Sequence, residues 1–269
     1  MAGRVLIIAG SDSGGGAGIQ ADIKTVTSLG GYAMTAITAV TVQNTLGVSG
    51  VHEIPPAVVA AQLEAVLSDI GADVIKTGML ASAEIIAVVS DVLDRLAPTV
   101  PRVIDPVMQA SAGGRSLLLG GAADSLRRLI AGARLVTPNL PEAEILTGRT
   151  IRTLADMDAA VPALRTLGAQ AVLLKGGHVE GNAIVDLLIE GAEVIRFADA
   201  RIVTSATHGT GCTLASAIAA GLADGLALPG AVARARAYVR QAILTAPGLG
   251  KGASPLNHGH TINYFQLDN

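Results

Sequence analysis

Short runs of β-branched and aliphatic residues alternate along this chain with longer stretches whose apolar positions recur every three or four residues. The runs 4–9 (RVLIIA), 33–42 (AMTAITAVTV), 73–76 (DVIK), 102–105 (RVID), 134–137 (RLVT) and 171–175 (AVLLK) predict strands. The stretches 18–29, 57–70, 82–96, 122–131, 141–146 and 154–167 between them predict helices. Strict alternation of this kind builds βαβ units, and hence a mostly parallel sheet with helices on both faces. The run 183–202 breaks the rhythm and reads as a hairpin turning near Glu190-Gly191, which adds antiparallel strand at an edge. Two closing helices follow, over 211–223 and 231–246. No Pro/Ser-rich linker, tandem repeat or shift in composition divides the chain, so residues 1–269 read as a single domain.

The polar and glycine-rich residues collect where the strands end. GSDSGGGAG follows the first strand, QNT the second and TGM the third; DPVM, TPNLPEAE and KGGH stand at the fourth, fifth and sixth. Open α/β sheets bind ligands beyond the carboxyl ends of their strands, so these turns predict one shared cleft. Met79 and Met108, buried-type residues among the polar ones, argue against turns that merely connect.

Composition narrows the class. Half of the residues (50%) are hydrophobic and 15% are charged, which excludes a disordered chain. The net charge of −3 and an aromatic content of 2% provide neither a basic stripe for phosphodiester backbones nor stacking platforms for bases. No apolar run is long enough to span a bilayer, and the start lacks the h-region of a signal peptide. A single cysteine forms no intrachain disulfide, so a cytoplasmic enzyme of small molecules is the expectation.

Three glycine motifs compete as phosphate binders. Gly16-Ala17-Gly18-Ile19-Gln20-Ala21 fits a dinucleotide fingerprint, but the second strand ends in Gln43-Asn44, without the acid that would hold a ribose. Gly250-Lys251 resembles part of a Walker loop, yet Thr245 and Gly252 occupy the positions where Gly and Ser/Thr belong. THGTGCT, residues 207–213, is the third. Backbone N–H groups of Gly209, Thr210 and Gly211 would point out of the first turn of an apolar, buried helix, where the helix dipole favours an anion. The only cysteine, Cys212, lies in that turn. The plainer alternatives are an ordinary glycine-rich helix start and a small thiol that packs it.

These segments together resemble the hydroxymethylpyrimidine/phosphomethylpyrimidine kinases of thiamine biosynthesis, members of the ribokinase-like superfamily. AGSDSGGGAGIQADIKT, AVTVQNT, IKTGML, DPVM, TPNLPEAE, LLKGGH, HGTGCT and GKGASPLNH occur in that order between about residues 5 and 258. The resemblance implies a three-layer αβα sandwich around a mostly parallel sheet, ATP and Mg²⁺ as cofactors, and a homodimer. It implies that Gly209, Thr210, Gly211 and Cys212 surround the transferring phosphoryl group, with Lys175 neutralising its charge. Gly10, Asp22, Gln43, Met79 and Val107 would line the pyrimidine pocket. Thr137, Asn139, Thr204 and Thr210, with Lys175, would lie at the nucleotide, and Glu142 and Asp105 near Mg²⁺. After DPVM the chain departs from the family: Ser111 stands where members often carry Lys or Thr, and Arg115 is the nearest base. Residues 261–269 lie beyond the family core and are assigned nothing. The nearest rival is a pyridoxal/pyridoxine kinase of the same superfamily; the rival from another class is a nucleotide-binding protein without turnover.

Phosphoryl transfer asks mainly for positioning and charge neutralisation, which a helix start, a lysine and two carboxylates around hydrated Mg²⁺ supply. A helix amino end lowers a thiol pKa, so Cys212 is expected to exist partly as thiolate and to take the proton of an acceptor hydroxyl. His178 and His208 have no second ligand at metal spacing, so no zinc site is expected.

Overall fold

The computed structural model describes residues 2–108 and 122–262. Among the described residues, nine strands form one sheet in the order β3-β2-β1-β4-β5-β6-β7-β8-β9. The parallel centre consists of β1 (Arg4–Asp12), β2 (Tyr32–Asn44), β4 (Val74–Thr77), β5 (Arg102–Ile104), β6 (Leu135–Val136) and β7 (Ala171–Leu174). At one end β3 (Gly47–Glu53) pairs antiparallel with β2, and at the other the hairpin β8 (Ala183–Glu190) and β9 (Glu193–Ala200) continues antiparallel from β7.

Side-chain alternation along the central strands sorts the core into two layers. Leu6, Ile8, Ile75 and Ile104 pack on one face against α2 (Pro56–Asp69), α3 (Ala83–Leu96), α4 (Ala122–Ile130), α5 (Leu140–Thr147) and α6 (Leu154–Arg165). Val5, Ile7, Val74 and Val103 face the other way, onto α1 (Gly18–Ser28), α7 (Thr210–Ala223) and α8 (Leu228–Leu244). Both faces are covered, which is why apolar residues predominate on both faces of the central strands. The result is the three-layer αβα sandwich expected. Helix α7 is buried from Thr213 to Gly221 without interruption. Its contact with α8 depends on Gly221, where a Cβ would come within 2.9 Å of the Ala231 Cβ.

Strand β3 is the main departure from the expected pattern. Its sequence, GVSGVHE, has two glycines and no apolar alternation, so nothing local announces a strand. Pairing with β2 makes it one, and QNT becomes the end of β2 and the start of a hairpin turn rather than a strand-to-helix connection. The hairpin expected over 183–202 forms, with Gly191 in the left-handed region at its turn (φ 54).

Candidate functional site

The loop after β1 is organised by one carboxylate. Asp12 accepts hydrogen bonds from the N–H groups of Gly14 (2.8 Å), Gly16 (3.0 Å) and Ala17 (2.8 Å), and its Oδ2 lies 2.8 Å from His208 Nε2. Burial works against this charge, but His208 and the amides hold the carboxyl below the usual carboxylate range. The loop locks onto the start of α7: Gly209 takes φ 84, and a Cβ there would fall 1.8 Å from the Gly16 oxygen. Only glycine fits that crossing.

Helix α7 therefore starts at a fixed place with its amides outward. The Thr213 N–H is the first to close the helical ladder, onto the Gly209 oxygen at 2.9 Å. The N–H groups of Gly211 and Cys212, in the turn before it, donate to no protein acceptor among the described residues. Two unpaired donors at the positive end of a buried helix are the arrangement that an anion would find preorganised.

Two cavities meet at this turn. The smaller, about 90 Å³, is lined by Gly10, Gln43, Met79 and Val107 with Gly209, Gly211 and Cys212, as the sequence suggested. Asp12, His208 and Asp105 also border it. The larger, about 580 Å³, has Thr204, Thr210 and His178 on its wall and an apolar side made by Ile184, Ile202, Leu214, Val239 and Ile243. Arg236 borders it too, paired with Asp186 and with Asp199 at 2.7 Å. Asn139, Glu142, Lys175 and Gly211 border both cavities.

These shared residues arrive from the ends of β6 and β7 and from the start of α7. Lys175 follows β7 and places Nζ 3.0 Å from Asp105 Oδ1 at the end of β5. Asn139 caps α5 reciprocally: its Oδ1 accepts the Glu142 N–H at 2.9 Å, and Glu142 Oε2 accepts the Asn139 N–H at 2.8 Å. The N-x-x-E motif is thus also a capping box. Burial pushes the Glu142 carboxyl up to about 7; Lys175 opposes that shift and Asp105 adds to it. Burial also works against the Lys175 charge, but Asp105 and Glu142 hold its ammonium above the ordinary lysine range. No cluster of three or more His, Cys, Asp or Glu forms a ready-made metal cage among the described residues. The acidic pair Glu142 and Asp105 fits a hydrated Mg²⁺, which keeps waters and completes its shell from phosphate oxygens.

Three expectations are corrected. Asp22 does not reach the pyrimidine side: it is fully buried, ion-paired to Lys76 Nζ at 2.8 Å, and accepts the Ser216 hydroxyl at 2.7 Å. Thr137 borders neither cavity; its hydroxyl donates to Asp105 Oδ1 at 3.1 Å and so steadies that carboxylate. Cys212 is not a ready thiolate. Half-buried in the cavity wall, it loses part of its hydration, which pushes the thiol up to about 11, and Asp22 and Asp105 add to the shift. Lys76 and the Gly18 N–H pull the other way without prevailing. Desolvation outweighs the helix dipole here.

Sequence reasoning missed Asp12 and the Asp186–Arg236 pair. Asp12 had a signal, an aspartate directly before a glycine run, the setting in which a side-chain oxygen gathers backbone N–H groups. Asp186 and Arg236 lie in a regular strand and a regular helix, and only the fold joins them. Ser111 and Arg115 lie outside the described residues.

Comparison with known proteins adds an independent line. The model of the family described as phosphomethylpyrimidine kinase matches residues 12–257. A hydroxymethylpyrimidine/phosphomethylpyrimidine kinase of Mycobacterium tuberculosis is 50% identical over 256 residues, covering 94% of this chain and 93% of that one. A thiamine biosynthesis bifunctional protein of Geobacter sulfurreducens is 54% identical over 95% of this chain, which spans about half (52%) of that longer protein. Among solved structures, the pyridoxal kinase of Staphylococcus aureus in complex with AMP-PCP and pyridoxal superposes with a TM-score of 0.87 at 36% identity, covering 96% of this chain and 94% of that one.

Proposed function

The chain belongs to the phosphomethylpyrimidine kinase family, and from that premise we propose that it is an ATP-dependent kinase of thiamine biosynthesis. It phosphorylates 4-amino-5-hydroxymethyl-2-methylpyrimidine and then the resulting monophosphate to the diphosphate. The observation that carries this reading is the meeting of two cavities at one anion hole: an acceptor-sized space on one side, a larger nucleotide-sized space on the other, and Gly211, Lys175, Asn139 and Glu142 common to both.

In this reading the acceptor lies in the small cavity between Gln43 and Cys212, beside Met79 and Val107. ATP lies in the large one, its phosphates directed at the start of α7 past Thr204 and Thr210. Bound Mg²⁺, held by Glu142 and Asp105 directly or through water, would neutralise phosphate charge. The N–H groups of Gly211 and Cys212 and the Lys175 ammonium receive the equatorial oxygens of the migrating group, whose loose transition state needs charge stabilisation more than covalent help. At neutral pH the Cys212 thiol is protonated. It faces the acceptor and would serve as a base only as the thiolate, after its own proton has passed to solvent; it would then receive the proton of the acceptor hydroxyl. The monophosphate is already an anion and needs no such base, so the two transfers depend on Cys212 unequally.

We also read the protein as a homodimer whose exposed β2–β3 side chains Val40, Val42 and Leu46 are partly covered by the second copy. Light scattering after gel filtration would give twice the chain mass; a monomer at micromolar concentration would refute this.

The direct test is ATP consumption with the alcohol, the monophosphate and pyridoxal offered separately. Turnover of both pyrimidines is expected. Turnover of pyridoxal alone would establish the rival kinase, and nucleotide binding without any turnover would establish a non-catalytic protein.

A further inference from the structure

Strand β8 carries a charge in the middle of an aliphatic run, Ile184-Val185-Asp186-Leu187-Leu188-Ile189. Side chains two positions apart share a face of a strand, and Leu188 belongs to the core layer on the α8 side, so Asp186 points there too. It is 5% exposed. Taking a carboxylate out of water is costly even with a partner, and an ion pair buried for stability alone can often be replaced by apolar residues without loss. A lone acid in this strand therefore asks what else it does.

Its contacts answer. The β7–β8 ladder runs from Ala171 opposite Glu190 to Leu174 opposite Leu187, where β7 ends. One step further, the same register would set Lys175 opposite Asp186. There the Gly176 N–H donates to Asp186 Oδ1 at 2.8 Å, so a side chain takes over where the backbone ladder stops. The other oxygen, Oδ2, pairs with Arg236 of α8, which also lies 5.8 Å over the Phe197 ring. Gly176 is pressed onto β8, with no room for a Cβ beside the Val185 oxygen. The Lys175 N–H donates to the Pro138 oxygen at 2.9 Å. The peptides on both sides of the Lys175 Cα are thus held. At the far end of that side chain, Nζ rests against the first turn of α7, where a Cβ on Gly211 would come within 3.3 Å of it.

We propose that Asp186 is a positioning residue of the phosphoryl-transfer reaction: by holding the Lys175–Gly176 peptide through the Gly176 N–H, it sets the Lys175 ammonium beside the first amides of α7. Asp186 borders the large cavity, but both of its oxygens are engaged within the protein, so it acts through Lys175. Arg236 balances the buried charge and keeps the carboxylate an acceptor. Misplacing a group at a reacting centre by about 1 Å costs about a hundredfold.

The inference rests on the reading of Lys175 as the cation of the phosphoryl site, and its test separates the two. Two double variants, Asp186→Leu with Arg236→Met and Asp186→Asn with Arg236→Met, are compared by urea unfolding and steady-state kinetics. Both lack the ion pair and the Arg236 side chain at the cavity, so they differ in whether Gly176 has an acceptor. Their stabilities should be comparable, the hydrogen bond lost with leucine being offset by apolar packing. The leucine variant should nevertheless have the lower kcat, by about tenfold or more, with the pyrimidine KM nearly unchanged. With Lys175→Met added to each, the difference in kcat should vanish, because both residues act through one peptide. Equal kcat in the two double variants, or a difference that survives Lys175→Met, would overturn the positioning role while leaving the phosphoryl site as read. Wild-type kcat in Lys175→Met alone would overturn both. Should the leucine variant not fold, amide hydrogen exchange of the wild-type protein decides: a Gly176 N–H slowed by about a hundredfold or more relative to a free peptide supports the hold, and faster exchange overturns it.

Discussion

Two lysine–aspartate pairs lie at the carboxyl ends of the sheet, and they are used differently. Lys76 and Asp22 are sealed, each side chain fully inaccessible, with Ser216 satisfying the second carboxylate oxygen. Lys175 and Asp105 make the same contact at 3.0 Å, but the lysine keeps 14% of its side-chain surface and both cavities reach it. The sealed pair holds α1, β4 and α7 together and reaches Cys212 only through its electric field. The open pair has its cation beside free amides and a second carboxylate, Glu142, ready for phosphate and metal. The residue types alone do not distinguish structure from chemistry; access does.

The strongest way to test this contrast is to break the sealed pair. Lys76→Met leaves an unpaired buried carboxylate and should cost about 3–5 kcal/mol in urea unfolding, while Lys76→Met with Asp22→Leu should recover most of it. A Lys76→Met protein of wild-type stability would end the claim that the pair is structural. Lys175→Met, at the open pair, should lower kcat by about 10²–10³; it also leaves Asp105 without its cation, so some loss in unfolding is expected, smaller than for Lys76→Met because the cavities give Asp105 access to water. A loss below about fivefold would place phosphate neutralisation elsewhere.

A third test puts sealed groups on a pH axis. His258, 4% exposed, has a folded pKa of about 4, below its unfolded value of about 6.5. The unfolded chain therefore takes the proton first: the contribution is fully present above about pH 6.5 and is lost as pH falls toward 4, about 3 kcal/mol in all. Stability curves of wild type and His258→Gln should diverge in that window and run parallel above it. Parallel curves throughout would show that the imidazole is not sealed.

The smallest effect is the most specific. Cys212→Ala should slow phosphorylation of the alcohol several-fold to about tenfold more than that of the monophosphate, since only the alcohol gives up a proton. Equal losses with both acceptors would remove the proton-accepting role of the thiol.

What the sequence made legible was what its chemistry settles locally. The aliphatic runs predicted the parallel strands, and Gly209-Thr210-Gly211-Cys212 before an apolar helix pointed to a helix start at a cleft, where these residues do border the two cavities. What stayed hidden depends on partners far away along the chain. Asp22 reads as a polar residue near a glycine loop until Lys76, 54 positions on, and Ser216, 194 positions on, claim it. Strand β3 exists only because β2 lies beside it. The thiol pKa followed helix polarity in the sequence and desolvation in the fold, and the second depends on everything packed around Cys212.

The central claim is that the amides beginning α7 receive the phosphoryl group as it crosses between the cavities. A crystal structure with ADP, aluminium fluoride, Mg²⁺ and the hydroxymethylpyrimidine tests it most directly. The account predicts fluoride atoms within hydrogen-bonding distance of the Gly211 and Cys212 N–H groups and of Lys175 Nζ, with the pyrimidine hydroxyl on the Cys212 side. A fluoride complex bound away from this turn, with those two amides still free, would contradict it.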